Sequence, residues 1–358
     1  MTTLFRRAGM LAGLTLLASV PTIAGAHAQT VPALACGQTI TQSTTLTADL
    51  GPCSSNGLVI GADGITLDLG GHRIFGTTTT GDLAGVLVQG RQGVTVRNGT
   101  VTDFDGGVVI LSGSGNTVTG ITARHNLGAA FGQTGPSTAL YGDGILVQGS
   151  SSNRIVNNVA DNNGPFSGIG VIQGDSDHPA VPPAPAPFNL IQNNSVTNNV
   201  ACRTGSSPFC DNDGIRIEPN VTDTTITANN VVGNGLDGIS LFGGTTRNSV
   251  LSNSVVGNGF RGAVTGDGIR VFGLANSINN NTAYRNANSG ISVARRAPTA
   301  ASFPATNPNG RGNTLRANSA AGNGLFDLWD SNRNPDCDAN AWSANHGSVA
   351  APSCTLNP

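Results

Sequence analysis

With 358 residues, of which 50 are Gly, 4% are aromatic and 11% are charged, the chain is too poor in charge for a disordered protein and too poor in helix formers for a helical repeat. It contains no lysine and one glutamate, Glu218. The formal net charge of −2 comes without a cluster of basic residues, so nucleic acid is not expected as a partner.

In chain order, the first feature is Arg6-Arg7 followed by an apolar run over residues 8–20 and then Ala26-His27-Ala28. This is the pattern of a cleavable secretory signal, which predicts a mature chain starting near Gln29 and an extracellular or periplasmic location. After that, Gly, Asn and Asp interrupt every apolar stretch, so no membrane span and no membrane partner are expected. The organisation that follows is a signal over 1–28, an N-terminal cap over 29–56, a repeat body over 57–328 and a C-terminal cap over 329–358.

The six cysteines are Cys36, Cys53, Cys202, Cys210, Cys337 and Cys354. An even number in an exported chain predicts disulfides. Six cysteines permit fifteen pairings, of which sequence neighbours are the simplest choice: Cys36 with Cys53, Cys202 with Cys210 and Cys337 with Cys354. Zinc-ligand spacing is missing from all of them.

The body of the chain repeats itself. Asp143-Gly144-Ile145-Leu146-Val147 returns as Asp213-Gly214-Ile215-Arg216-Ile217, Asp237-Gly238-Ile239-Ser240-Leu241 and Asp267-Gly268-Ile269-Arg270-Val271, with weaker copies at Ser167-Gly168-Ile169 and Ser289-Gly290-Ile291. The uninterrupted period is about 24 residues, which marks a solenoid. Its β-branched runs are too short for helix and alternate with period two, so Ile and Val point one way and the residue between them the other. The expected fold is therefore all-β: a single parallel β-helix whose coils share one core, each covering the next. Asn158, Asn194, Asn230, Asn253 and Asn281 recur between the strands and are expected at corners, where an amide tolerates left-handed backbone and bonds its counterpart one coil on.

A family resemblance rests on particular phrases. Gly64-Ile65-Thr66-Leu67-Asp68-Leu69-Gly70-Gly71-His72-Arg73-Ile74, Val94-Thr95-Val96-Arg97-Asn98-Gly99 and the ending Gly324-Leu325-Phe326-Asp327-Leu328-Trp329-Asp330 with Asn340-Ala341-Trp342 resemble bacterial secreted right-handed β-helix repeat proteins of the pectate-lyase-like superfamily. The resemblance implies a right-handed solenoid with capped ends. For function it implies only a range, from pectin and alginate lyases through galacturonases and epimerases to non-enzymes. Trp329, Trp342 and Phe326 are read as a hydrophobic C-terminal cap, and the first cysteine pair as a staple of the N-terminal one.

Insertions carry sites on a rigid scaffold. Those at 129–142, 201–212 and 261–266 precede the Gly-Ile strand; those at 174–187 (proline-rich over 179–187) and 297–312 follow it. They are expected to wall a groove floored by the outward row Leu146, Gly170, Arg216, Ser240, Arg270 and Ser292. Beside it run Gln148, Ile172, Glu218, Phe242, Phe272 and Ala294. Arg216 and Arg270, two coils or about 10 Å apart, suit the carboxylates of an extended acidic polysaccharide, with Phe242 and Phe272 stacking on sugar rings and Glu218 in the same site. Alternatively Arg216 pairs with Glu218 or a nearby Asp on a solvated strand.

Asp213, Asp237 and Asp267 are the catalytic candidates, since glycoside cleavage needs two carboxyls at a set spacing and adjacent coils supply the shorter one. The alternative is that Asp before Gly is turn chemistry repeated with the fold. Asn212-Asp213-Gly214 resembles the Asn-x-Asp-Gly element of galacturonases, whose Gly-His-Gly and Arg-Ile-Lys elements have no counterpart here. With no lysine, a lyase would use Arg216 or Arg270 as base. Calcium is the one cofactor suggested, by Asp103-x-Asp105, Asp175-x-Asp177, Asp211-x-Asp213 and Asp336-x-Asp338. The expectation is a secreted monomer that binds or processes polysaccharide along the Gly-Ile face; the alternative is a non-catalytic surface or adhesin-like β-helix.

Overall fold

Alternating β-branched residues give each coil three short strands, and the residues between them turn three corners. The computed structural model describes residues 34–77, 82–128, 142–173, 184–200, 212–260, 266–293, 310–332 and 339–356. The first face is a 12-stranded parallel sheet running from Gln38–Ile40 to Ala350–Ala351. The six Asp-Gly-Ile and Ser-Gly-Ile copies lie in it, at Asp143–Gln148, Ser167–Ile172, Asp213–Ile217, Ile239–Leu241, Ile269–Val271 and Ser289–Val293.

The remaining strands wrap round two further faces. Thr95–Thr102 and Thr117–Arg124 are long enough to run along both. From the next coil on, the run divides into pairs such as Arg154–Val156 on the second face and Val159–Asp161 on the third. Each strand pairs in parallel with its equivalent one coil away, as Thr225↔Ser249 and Ser249↔Ser277 illustrate. Solenoid pairing extends into both end segments: Gln38–Ile40 pairs with Leu58–Ile60, and Ala341–Ser343 with Thr314–Arg316.

Alternate residues of each strand point inward, and these stack into one core. Ile145, Ile169, Ile215, Ile239, Ile269 and Ile291 form one such stack on the first face, all fully buried. Each contributes roughly 1.5–3 kcal/mol, and only while the coils on both sides cover it.

The corners are held by three asparagine ladders. In one, Asn253 donates from its backbone N and its Nδ2 to Asn281 Oδ1 (2.9 and 3.0 Å) and from Nδ2 to the Ile226 carbonyl (2.9 Å). Its own Oδ1 accepts the backbone N–H and Nδ2 of Asn229, both at 2.9 Å. The same pattern runs through Asn158, Asn194 and Asn318. Two expectations change here. The rung in the coil of Asn229-Asn230 is Asn229, whereas Asn230 opens the next strand and is exposed. The left-handed residue is not the rung but the one before it, as at Asn157, Asn193, Ser252 and Asn280. That residue turns the chain so that the following amide faces inward, where only its counterparts and backbone carbonyls can satisfy it.

Cys36 and Cys53 are disulfide-bonded across the first coil. Cys354 is also disulfide-bonded, to a cysteine outside the described residues, where Cys202, Cys210 and Cys337 lie. Trp342 does cap the core: it stands opposite Leu315, is 5% exposed, and donates Nε1–H to Asp330 Oδ2 (3.0 Å).

Candidate functional site

The outer surface of the first face is ordered by register. Leu146, Gly170, Arg216, Ser240, Arg270, Ser292 and Trp329 form one row, one residue per coil. Toward the N-terminus the row is apolar, and Val109 and Leu146 pack with Ala84 and Leu111 in a small buried cluster outside the main core. Past Gly170 it becomes polar. Trp329 therefore belongs to this outward row, stacked on Phe326 with ring centroids 5.9 Å apart, and not to the hydrophobic plug that Trp342 forms. Its place between inward Leu328 and Asp330 accounts for this.

Beside the row runs a line of carboxylates and hydroxyls at the start of each strand: Asp143, Ser167, Asp213, Asp237, Asp267 and Ser289. All are buried. Asp213 Oδ1 accepts the backbone N–H of Asp237 (3.0 Å), Asp237 Oδ1 that of Asp267 (2.7 Å), and Asp267 Oδ1 that of Ser289 (2.8 Å). One oxygen of each aspartate thus serves the coil stack as an asparagine oxygen does elsewhere.

The second oxygen faces the outward row. Asp237 Oδ2 accepts from Ser240 Oγ (3.3 Å) and lies 3.3 Å from Arg270 Nη1. Asp267 Oδ2 accepts from Arg270 Nε (2.8 Å) and Ser292 Oγ (2.6 Å). The Arg270 side chain, 20% exposed, is therefore clamped between two carboxylates. Asp143 accepts a short hydrogen bond from Ser167 Oγ, and a Cβ at position 170 would lie 2.9 Å from Asp143 Oδ1, so Gly170 leaves that carboxyl its room.

Arg216 and Glu218 pair at 2.8 Å, the ion-pair alternative of the sequence reading, but not on a solvated strand: the Arg216 side chain is only 7% exposed. Its guanidinium carbon lies 4.7 Å from the Phe242 ring centroid and 5.7 Å from that of Phe166. Arg270 meets Phe272 in the same way at 5.8 Å. The two phenylalanines thus offer a ring to a guanidinium of their own chain, an attraction that also fixes the guanidinium plane. The structure brings Asp213, Asp237, Asp267, Arg216, Glu218, Arg270, Phe242 and Phe272 onto one face. Ser240 and Ser292 of the expected groove floor join them, as do Asp143 and Ser167, which were missed as site residues although they open copies of the same repeat phrase.

Burial pushes the Asp143 carboxyl up to about 7, against the Ser167 hydrogen bond and the Arg216 charge. It also pushes Asp237 up to about 6, with Arg270 opposing and Asp267 adding to the rise. Burial would depress Arg270, but Asp237 and Asp267 hold it well above the usual guanidinium range. A carboxyl raised on folding stabilises fully below its unfolded pKa of 3.8, and that contribution is lost as pH rises through the folded value. Stability supplied by Asp143 and Asp237 should accordingly fall between pH 4, near the unfolded value, and pH 8, just above the folded ones. Asp143→Asn, which keeps an acceptor for Ser167, is expected to flatten that fall and to stabilise at pH 8 by about 2 kcal/mol, as read by chemical denaturation at both pH values.

Among the described residues no group of three or more His, Cys, Asp or Glu could hold a metal ion. Asp103 Oδ1 lies 3.3 Å from His125 Nδ1, and Asp105 Oδ2 accepts the Leu83 N–H (2.9 Å), so this pair is turned to different partners. Asp175, Asp177, Asp211, Asp336 and Asp338 lie outside the described residues, as do Ala294 and most of the five insertions, including residues 179–183 of the proline-rich stretch.

Residues 53–202 match the family of right-handed β-helix regions. No curated protein sequence matches the chain. Among solved structures, it is similar to the periplasmic alginate epimerase AlgG (TM-score 0.55, 13% identity, covering 86% of this chain and 72% of that one). It is likewise similar to the Dettilon tailspike protein gp208 (0.54, 18%, 87% and 60%) and to an alginate lyase from Paenibacillus sp. str. FPU-7 (0.51, 15%, 87% and 99%). At these identities the likeness is one of architecture, and with three parallel faces, buried ladders and this family match, the chain has the fold of a right-handed parallel β-helix.

Proposed function

We propose that the first face binds an extracellular acidic polysaccharide along the row Arg216, Ser240, Arg270 and Ser292, and that Asp237 protonates its glycosidic oxygen. The observation that carries this reading is the clamp of Asp237 and Asp267 about Arg270. It sets a cation able to take a uronate carboxylate beside a carboxyl whose pKa, about 6, suits a proton donor near neutral pH. Asp213 supplies the second carboxyl. Adjacent coils lie about 4.8 Å apart, close to the roughly 5 Å between the carboxyls of a retaining hydrolase. Two of the structural neighbours are named for alginate, which agrees with an acidic substrate. The N-terminal signal over 1–28 and the Cys36–Cys53 disulfide support export.

A second reading is favoured by the Oδ1 bonds: Asp213, Asp237 and Asp267 act only as rungs, and the protein is a non-catalytic surface β-helix. Incubation of the purified protein with polyuronates and neutral polysaccharides separates the two. New reducing ends are expected from polyuronates and should be lost in Asp237→Asn while binding persists. Binding without turnover would select the second reading. Failure to bind any polyuronate would exclude the acidic-glycan assignment.

A further inference from the structure

The third face carries a departure from its own repeat. Its outward row runs Phe75, Thr102, Arg124, Asp161 and Thr197, and then continues as Val232 and Val256. The coil stack does not require charge at these positions, since Val232 and Val256 fill the same register with the same inward asparagine ladder beneath them. The charged stretch coincides with a shallow groove of about 480 Å³ lined by Arg73, Thr100, Thr102, Asp103, Arg124, His125, Asp161 and Asn162.

The groove's groups are partly committed. Arg73 donates Nε–H to Asp49 Oδ2 (2.7 Å), with its guanidinium carbon 4.3 Å from the Phe75 ring centroid. Asp103 Oδ2 accepts from Thr102 Oγ1 (3.1 Å) and its Oδ1 lies 3.3 Å from His125 Nδ1. Asp161 Oδ1 accepts from Thr197 Oγ1 (2.8 Å) and Asn198 Nδ2 (3.3 Å). Arg124, exposed between Thr102 and Asp161 in the register, makes no ion pair with a described residue. Asp103, His125 and Asn162 occupy the left-handed corner positions, which turns them along one rim.

We infer that this groove is a second saccharide site, separate from the first face, in which Arg124 holds the carboxylate of a uronic-acid residue. The chemistry selects the class. A fork of guanidinium donors matches a carboxylate, while Asp161 Oδ2 and the spare lone pairs of the Asp103 oxygens accept hydroxyl groups and Asn162 can do either. A free phosphate or sulfate would use the same guanidinium but bring no hydroxyl groups for the acceptor oxygens of Asp103 and Asp161. Three coil steps separate Arg73 from the coil of Asp161, about 14 Å of groove, which is room for a short oligosaccharide. The assignment uses no residue of the first-face row and does not depend on turnover there.

The test is calorimetric titration of an oligogalacturonate into wild type, Arg124→Ala and Arg124→Lys, with a neutral oligosaccharide of equal length as control. Arg124→Ala is expected to weaken one class of sites by about tenfold or more, with Arg124→Lys between it and wild type and the thermal midpoint of all three unchanged. First-face sites, if occupied by the same probe, should titrate as before, since Arg124 touches none of their residues. Identical titrations of wild type and Arg124→Ala would overturn the inference. So would equal affinity for the neutral control, or failure of wild type to bind the oligogalacturonate.

Discussion

Asp267→Ala is expected to lower the unfolding free energy by about 3 kcal/mol or more, because it leaves a largely buried cation without its nearest partner. Four donors lose their acceptor at once: Ser289 N, Asn288 Nδ2 (2.6 Å), Ser292 Oγ and Arg270 Nε. Arg270 would keep only the longer contact to Asp237, at 3.3 Å. Asp267→Asn should cost less, since an amide oxygen still accepts the Ser289 N–H while the ion pair is lost. Chemical denaturation of the three proteins, with hydrogen exchange of the Ser289 amide as a local probe, measures both parts. A loss below about 1 kcal/mol for Asp267→Ala would mean that the site relaxes enough to hydrate the orphaned groups.

The second large effect concerns the corners. Asn253→Ala removes an oxygen that accepts two hydrogen bonds from Asn229 and a nitrogen that satisfies the Ile226 carbonyl. With each buried orphan costing about 1–3 kcal/mol, the total is expected at about 3 kcal/mol or more. Asn230→Ala, at an exposed strand position in the neighbouring coil, should change stability by no more than about 0.5 kcal/mol. The contrast is read as a pair of denaturation midpoints. Equal losses at the two positions would place the rung wrongly, and negligible loss at both would mean that the ladder is not a source of stability.

The coil architecture was legible because it is written in alternation. Wherever Ile and Val flank a single residue, as in Ile215-Arg216-Ile217, the two aliphatic side chains are buried in the core and the middle one joins the outward row. Trp329 reads as part of the cap because of its nearness to Trp342 and Phe326, although its alternation with Leu328 carries the cue to the outward position it takes. Asn229-Asn230 marks the limit of such reading. Two identical side chains stand side by side, and only the left-handed residue before them, Ala228, decides which one turns inward.

The candidate site was less legible, for physical reasons. Asp213, Asp237 and Asp267 share the parity of the core isoleucines, yet they sit where the chain leaves a corner, so one oxygen of each bonds the next coil's backbone, and in Asp237 and Asp267 the other reaches the outer row. Burial of these groups, and with it the raised pKa of Asp143 and Asp237, depends on what packs over the first face rather than on any local phrase. The choice between an exposed Arg216 and one paired to Glu218 likewise turned on covering, which Phe166 and Phe242 provide from two neighbouring coils.

The most direct measurement is a crystal structure of the protein with a uronic-acid oligosaccharide. A saccharide is expected along the first face, with a carboxylate on Arg270 and a glycosidic oxygen within hydrogen-bond reach of Asp237. A structure in which the oligosaccharide avoids that face, leaving Arg270 clamped and Asp237 unapproached, would contradict that expectation.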